Sequence, residues 1–167
     1  VVQPFLRAHT DGRTPNPCMW CNRAVKFSRL EEHARLEHCD AIATGHYARI
    51  RHETDGSATL MTATDTTKDQ SYYLANLSQE ILTRLLLPLG DLRKAEVREL
   101  AQKYRIPFDH TYRESQNLCF FPEDSPDAFL ARRLNLLPGP IIRAPDGCRV
   151  GTHRGLPLYT AGQRRGL

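Results

Sequence analysis

Ala41-Ile42-Ala43-Thr44-Gly45-His46 is the stretch on which the fold reading turns. Four small or β-compatible residues stop at a glycine, and an imidazole follows. A buried strand that ends this way resembles the corners at which open α/β sheets place ligand-binding groups, outside the carboxyl ends of their strands. The residues before it predict a helix over 29–38. Ser28 suits its cap, and Leu30 and Ala34 share one face. Helix, short strand and polar corner together predict an α/β fold.

Working outward, residues 47–63 alternate around Asp55-Gly56, a hairpin turn signal. Helical spacing returns over 78–87. It is clearer over 94–104, where Val97, Leu100, Ala101 and Tyr104 line one face and Glu99 and Lys103 the other. Pro107 closes that unit, and a short strand is expected to lead to Cys119. Toward the amino end, residues 7–17 are rich in Gly, Pro, Thr and Asn and read as loop. A boundary is expected near Pro122–Ser125. Ser125-Pro126 then opens a helix carrying Phe129, Leu130 and Leu134. Beyond Pro138-Gly139, Ile141-Ile142, Val150-Gly151 and Leu158-Tyr159-Thr160 read as short strands, with a turn at Pro145-Asp146-Gly147. Trp20 is assigned to the core.

The chain has 167 residues, a formal charge of +4 and five cysteines. The length allows one good core, or one domain and part of another. The charge permits a nucleic-acid partner without requiring one. No apolar run approaches membrane-spanning length. An odd cysteine count in a chain of this type argues against a disulfide framework and for reduced thiols in the cytoplasm. Cys39 and Cys148 carry no motif and read as small half-buried residues. The first residue is Val1 and the last is Leu167, so both ends read as cut from something longer.

The other thiols stand in chemistry-bearing settings. Cys18-Met19-Trp20-Cys21, followed by His33 and His38, approaches a zinc-finger pattern. Three features count against it: a short spacer, Val25 at the position of the finger aromatic, and histidines five apart, which diverge on a helix. The functional alternative is a catalytic thiol at Cys21, in a segment stiffened by Pro15 and Pro17 and close to the cationic Arg23 and Lys26. Cys119, by itself, reads as a structural thiol.

Taken in order, several motifs resemble the tRNA-specific 2-thiouridylase family, which replaces an oxygen with sulfur on the wobble uridine of certain tRNAs. They are Asn16-Pro17-Cys18-Met19-Trp20-Cys21-Asn22, Thr44-Gly45-His46, Lys68-Asp69-Gln70-Ser71-Tyr72-Tyr73, Ser115-Gln116-Asn117-Leu118-Cys119-Phe120, and the glycine-containing stretches Gly151–Gly155 and Tyr159–Arg164. The resemblance runs from about Phe5 to Leu167. It implies an α/β fold in which residues 1–122 are the C-terminal part of a parallel-sheet ATP-pyrophosphatase domain (adenine nucleotide alpha hydrolase-like). Residues 123–167 would be a linker helix and the start of a small β-rich domain.

The resemblance also implies roles. Cys21 is the nucleophile, and Cys119 accepts sulfur as a persulfide, the pair closing to a disulfide in each cycle. Asn16, Pro17 and Cys18 form the loop against the target base. Cys18 stands where some members carry an acid/base aspartate, and is an auxiliary thiol here. Gly45 contacts the nucleotide, while His46, Lys68, Asp69 and Gln70 contact tRNA. ATP with Mg2+ is the expected cosubstrate, and a sulfur-relay protein or cysteine desulfurase the expected donor. No metal site is expected on the protein itself.

Two departures stand out. The family's opening Ser-Gly-Gly-x-Asp-Ser nucleotide loop is absent from these residues, so this piece alone is expected to be inactive. In addition, Glu37-His38-Cys39-Asp40 replaces Leu-Gly-Ala-Asp, a change expected to touch helix termination rather than chemistry. Two other readings stay open: a zinc-binding nucleic-acid module built on Cys18, Cys21, His33 and His38, and a non-catalytic RNA-binding fragment.

Overall fold

The structure, a computed structural model, describes residues 1–107, 118–121 and 126–166. It is a mixed α/β chain that divides into two compact units: residues 18–114, and residues 1–17 together with 115–167.

The first unit begins with a long helical run. α2 (Pro17–Cys21), a π-helical turn (Asn22–Phe27) and α3 (Ser28–Leu36) follow one another without a break, because Cys21, Phe27 and Ser28 all keep right-handed helical angles. Ser28 is therefore inside a helix and does not start one. The π turn has a packing cause. Asn22 and Phe27 are both buried. In an α-helix, residues five apart sit roughly 140° apart, whereas i→i+5 bonding stacks them on one face.

α3 ends in a Schellman motif: Cys39 N–H donates to Ala34 O at 2.8 Å and His38 N–H to Arg35 O at 3.2 Å. This places His38 at φ 55°, a left-handed conformation that glycine adopts without cost. His38→Gly is expected to stabilise the protein by about 1 kcal/mol. The check is the chemical denaturation midpoint of the complete polypeptide, which should rise; a fall would show that the imidazole contributes more than the strain costs.

β1 (Ile42–Ala43) pairs in parallel with β4 (Leu85–Leu86), Ile42 opposite Leu85. β2 (Ala48–His52) and β3 (Ala58–Thr62) form the expected hairpin, with Gly56 at positive φ in its turn. Two short helices follow, α4 (Ser71–Leu74) and α5 (Gln79–Leu82). The helical pattern over 78–87 thus splits: α5 ends at Leu82, and Leu85-Leu86 is strand. α6 (Lys94–Lys103) matches its spacing, although Leu100 is 37% exposed. The core of this unit gathers Phe27, Ala34, Ile42, Ala48, Ala58, Leu74, Leu77, Ile81, Leu82 and Leu85.

Two polar devices tie this core together. The Gln79 carboxamide accepts from Ala58 N–H and donates to Ala58 O, both at 2.9 Å, completing the edge of β3 as another strand would. Glu31, almost fully buried, takes Arg84 Nη1 at 2.6 Å, and Arg84 Nε donates to Asp40 O at 3.2 Å, so the end of α3 is pinned to β4.

The second unit contains α1 (Val2–Thr10), α7 (Pro126–Arg133), the hairpin of β5 (Gly139–Arg143) and β6 (Cys148–His153), and a 3-10 turn at Leu156–Leu158. Phe5, Leu6, Phe129 and Leu130 form its core. Residues 7–10, read as loop, are the last turn of α1; the loop begins after it. Leu158 ends a 3-10 turn and is not in a strand. The strand expected before Cys119 and the boundary at Pro122–Ser125 lie outside the described residues. Trp20 is 44% exposed, and Cys39 and Cys148 are exposed, so the core and half-buried readings of these residues are corrected. Among the described residues no helix is long and apolar enough to cross a membrane.

Candidate functional site

Cys18 and Cys21 lie on α2 and are half-buried. Pro17, buried, opens that helix, where its missing N–H costs nothing. Cys21 is the last residue before the π turn, and its neighbour Asn22 is 3% exposed. Asn22 Nδ2 donates to Tyr73 O at 2.9 Å, while its Oδ1 is buried without a hydrogen-bond partner among the described residues. The amide thus fixes the turn that carries Cys21 against α4. The spacing of the motif around Cys21 does not by itself signal this use of Asn22.

His46 follows β1, as the strand-glycine-histidine pattern required. Its Nδ1 lies 2.9 Å from Thr44 Oγ1, and its ring packs against Phe27 with centroids 5.9 Å apart. Burial, and then the nearby Lys26 ammonium, hold its pKa below the ordinary histidine value. At neutral pH it is therefore a neutral imidazole, able to donate or accept one hydrogen bond rather than to act as a fixed cation. Among the described residues an added Cβ at Gly45 would meet only Leu89 Cδ1, at 3.6 Å, an ordinary contact. The described packing does not itself require glycine there.

Lys68, Asp69 and Gln70 are half-buried. Asp69 Oδ1 accepts from Ala63 N–H and its Oδ2 from Ser71 Oγ, both at 2.7 Å. Gln70 brackets Tyr47: its N–H donates to Tyr47 O at 2.7 Å, and its Oε1 accepts from Tyr47 N–H at 3.0 Å. Both side chains thereby shape the segment that leads into α4, a structural use that the spacing alone did not reveal.

Cys119 is presented differently. Phe121 N–H donates to Leu118 O at 3.0 Å, closing a turn with Cys119 at its tip. Leu118, Phe120 and Phe121 pack on the Phe5–Phe129 cluster, while Cys119 itself is exposed. Phe5 meets Phe120 edge-on at 5.4 Å, and Phe121 lies 4.9 Å from Phe129. The three apolar neighbours anchor the turn and leave the thiol facing out.

Asn16 is half-buried in the loop before α2. A cleft of about 620 Å³, lined in part by Arg23, Glu31, Arg35 and Glu80, contains none of the sequence-predicted site residues.

The zinc arrangement fails on geometry. Cys21 and His33 are twelve residues apart on a continuous helical run, a separation of roughly 18 Å. Tetrahedral zinc ligands must lie about 2 Å from one ion. Among the described residues no group of three or more His, Cys, Asp or Glu side chains is placed to hold a metal.

Comparison with known proteins agrees along the whole chain. A family described as "tRNA methyl transferase HUP domain" matches residues 1–123, and one described as "tRNA methyl transferase PRC-barrel domain" matches residues 127–167. The chain is similar to the tRNA-specific 2-thiouridylase MnmA of Chloroflexus aggregans (strain MD-66 / DSM 9485), with 48% identity over 169 residues, covering 100% of this chain and 46% of that protein. The protein of the same name from Desulforudis audaxviator (strain MP104C) is 49% identical over 170 residues, covering 100% and 49%. That from Herminiimonas arsenicoxydans is 45% identical over 171 residues, covering 100% and 45%. The chain thus spans about half the length of the curated relatives it matches.

Proposed function

We propose, because this chain belongs to the tRNA-specific 2-thiouridylase family and carries its HUP domain followed by its PRC-barrel domain, that it supplies the thiols and part of the RNA surface of an enzyme that puts sulfur on a tRNA uridine. The Cys119 turn supports this reading most: an exposed thiol at the tip of an aromatic-anchored turn is what a sulfur-accepting residue requires.

The reaction runs in three steps. The uridine C2 oxygen attacks the α-phosphorus of ATP and pyrophosphate leaves, so that C2 carries AMP, a good leaving group. The terminal sulfur of a Cys119 persulfide then attacks C2, and AMP departs with the former oxygen. Cys21 thiolate attacks the Cys119 sulfur, releasing thiolated RNA and leaving a Cys21–Cys119 disulfide, which a two-electron thiol reductant resets. Mg2+ would accompany the ATP phosphates. Gly45 fits the edge of a nucleotide, since a backbone without a side chain lets a ligand approach closely. Neutral His46 and Lys68 face the RNA. Cys18 assists as an auxiliary thiol, and Asn16, Pro17 and Cys18 form the wall against the target base. Asp69 and Gln70 shape the RNA-facing segment. A sulfur-relay protein or cysteine desulfurase loads Cys119, and reduced thiols of this kind belong in the cytoplasm.

The test uses the complete polypeptide containing these residues, supplied with tRNA, ATP, Mg2+ and a persulfide donor. Mass spectrometry of the RNA should show a 2-thiouridine, with AMP and pyrophosphate formed in step. Formation of AMP without thiolated base, or a methylated base instead, would overturn the reading. Lys68→Ala should weaken tRNA binding and lower the slope of log affinity against log salt by about one, as loss of one phosphate contact does.

A further inference from the structure

We propose that Tyr72 and Tyr73 form a stacking platform for nucleobases next to the target uridine, an inference that rests on the functional reading above. Tyr72 is 60% exposed and Tyr73 37% exposed. Aromatic side chains so open to water on a rigid support ask for an occupant.

The support is rigid for identifiable reasons. The residue after them, Leu74, is completely buried in the core. The residues before them are fastened by Ser71 Oγ on Asp69 and by Gln70 on Tyr47. Asn22 Nδ2 holds the Tyr73 carbonyl. The two rings meet at 66° with centroids 5.9 Å apart, edge to face, so they are not stacked flat on one another. A base can lie on such a face with little further loss of side-chain freedom.

The occupant follows from charge and place. α4 packs against the π turn that starts beside Cys21, so the platform adjoins one proposed reacting thiol. Arg23 and Lys26 are exposed on that turn, and Lys68 precedes α4 by three residues. Aromatic faces flanked by cations fit single-stranded nucleic acid, whose bases stack while its phosphates meet the positive groups. An anticodon loop offers single-stranded bases on both sides of its target nucleotide, which aromatic side chains can take up by stacking.

The test uses the complete polypeptide and an anticodon stem-loop RNA with 2-aminopurine beside the target uridine. Stacking on tyrosine should quench its fluorescence when the unaltered protein binds. Tyr72→Leu keeps bulk but loses the π-face. It should weaken binding about ten-fold and relieve the quenching, while Tyr72→Phe keeps both. Thermal melts establish that each variant is folded. If Tyr72→Leu binds and quenches like the unaltered protein, the platform is overturned while tRNA thiolation by the unaltered protein stands. If Tyr72→Leu spares RNA binding and blocks only sulfur loading of Cys119, the tyrosines face a protein and the platform is likewise overturned. If the unaltered protein neither binds nor thiolates RNA, the functional reading falls, and the platform falls with it.

Discussion

Cys119→Ser, in the complete polypeptide, abolishes persulfide loading, and Cys21→Ser leaves loading intact but halts release of thiolated RNA. Both outcomes are expected from the proposed order of sulfur transfer. Cys119 sits at an exposed turn tip, where a donor protein can reach it, and Cys21 is half-buried at the end of α2. Each variant should lose about a thousand-fold or more in turnover, since removing a covalent partner leaves only binding and positioning. The two differ in what accumulates. Cys119→Ser carries no labelled sulfur at that position, while Cys21→Ser carries sulfur and then an RNA adduct. In the unaltered protein, mild oxidation should give a Cys21–Cys119 disulfide that thiol reductants open readily. Peptide mapping decides: a Cys18–Cys21 bond instead, with Cys119 unreactive, would remove the two-thiol mechanism.

Gly90→Ala is the substitution expected to damage the fold most. A Cβ there would lie 1.9 Å from the Ala48 carbonyl oxygen and 2.7 Å from its carbon. Ala48 is completely buried, so this backbone has nowhere to retreat. Gly90 O also accepts from Thr64 N–H at 2.9 Å, so displacing the glycine breaks the link to the segment after β3. Overpacking against fixed backbone should cost about 3 kcal/mol or more. Denaturant titration measures it. An effect within about 0.5 kcal/mol would mean that the turn at Gly90 relaxes freely. Gly45→Ala is the natural control, because its Cβ finds only an ordinary contact.

How much of this could be read in advance depended on whether the signal was local. The Asp55-Gly56 hairpin and α6 were legible, because turn residues and 3.6-residue spacing act within a few positions. The strand-glycine-histidine corner was legible for the same reason. Ser28 misled, because its capping chemistry is equally compatible with a place inside a helix already begun at Pro17. Residues 78–87 misled because Leu85 and Leu86 pair with β1, a partner 43 residues earlier. No local pattern reports such a pairing. Family motifs pointed to Cys21, Cys119 and Lys68-Asp69-Gln70. They did not reveal that Asp69 and Gln70 hold the backbone, or that Asn22 ties the π turn to Tyr73.

The π turn also constrains which changes in length the chain can accept. A helix works as a screw, and the six residues Asn22–Phe27 hold one residue more than the α thread has room for. Deleting a single residue between Cys21 and Ser28 would restore the thread, at the cost of separating Asn22 and Phe27 from their shared buried face. Because the wide turn is what absorbs the extra residue, Cys18 and Cys21 would keep roughly their direction relative to α3. The same deletion inside α3 meets no such slack and would turn everything upstream by about 100°. The wide turn is thus a buffer for length: it admits one more residue while the thiols keep their aim.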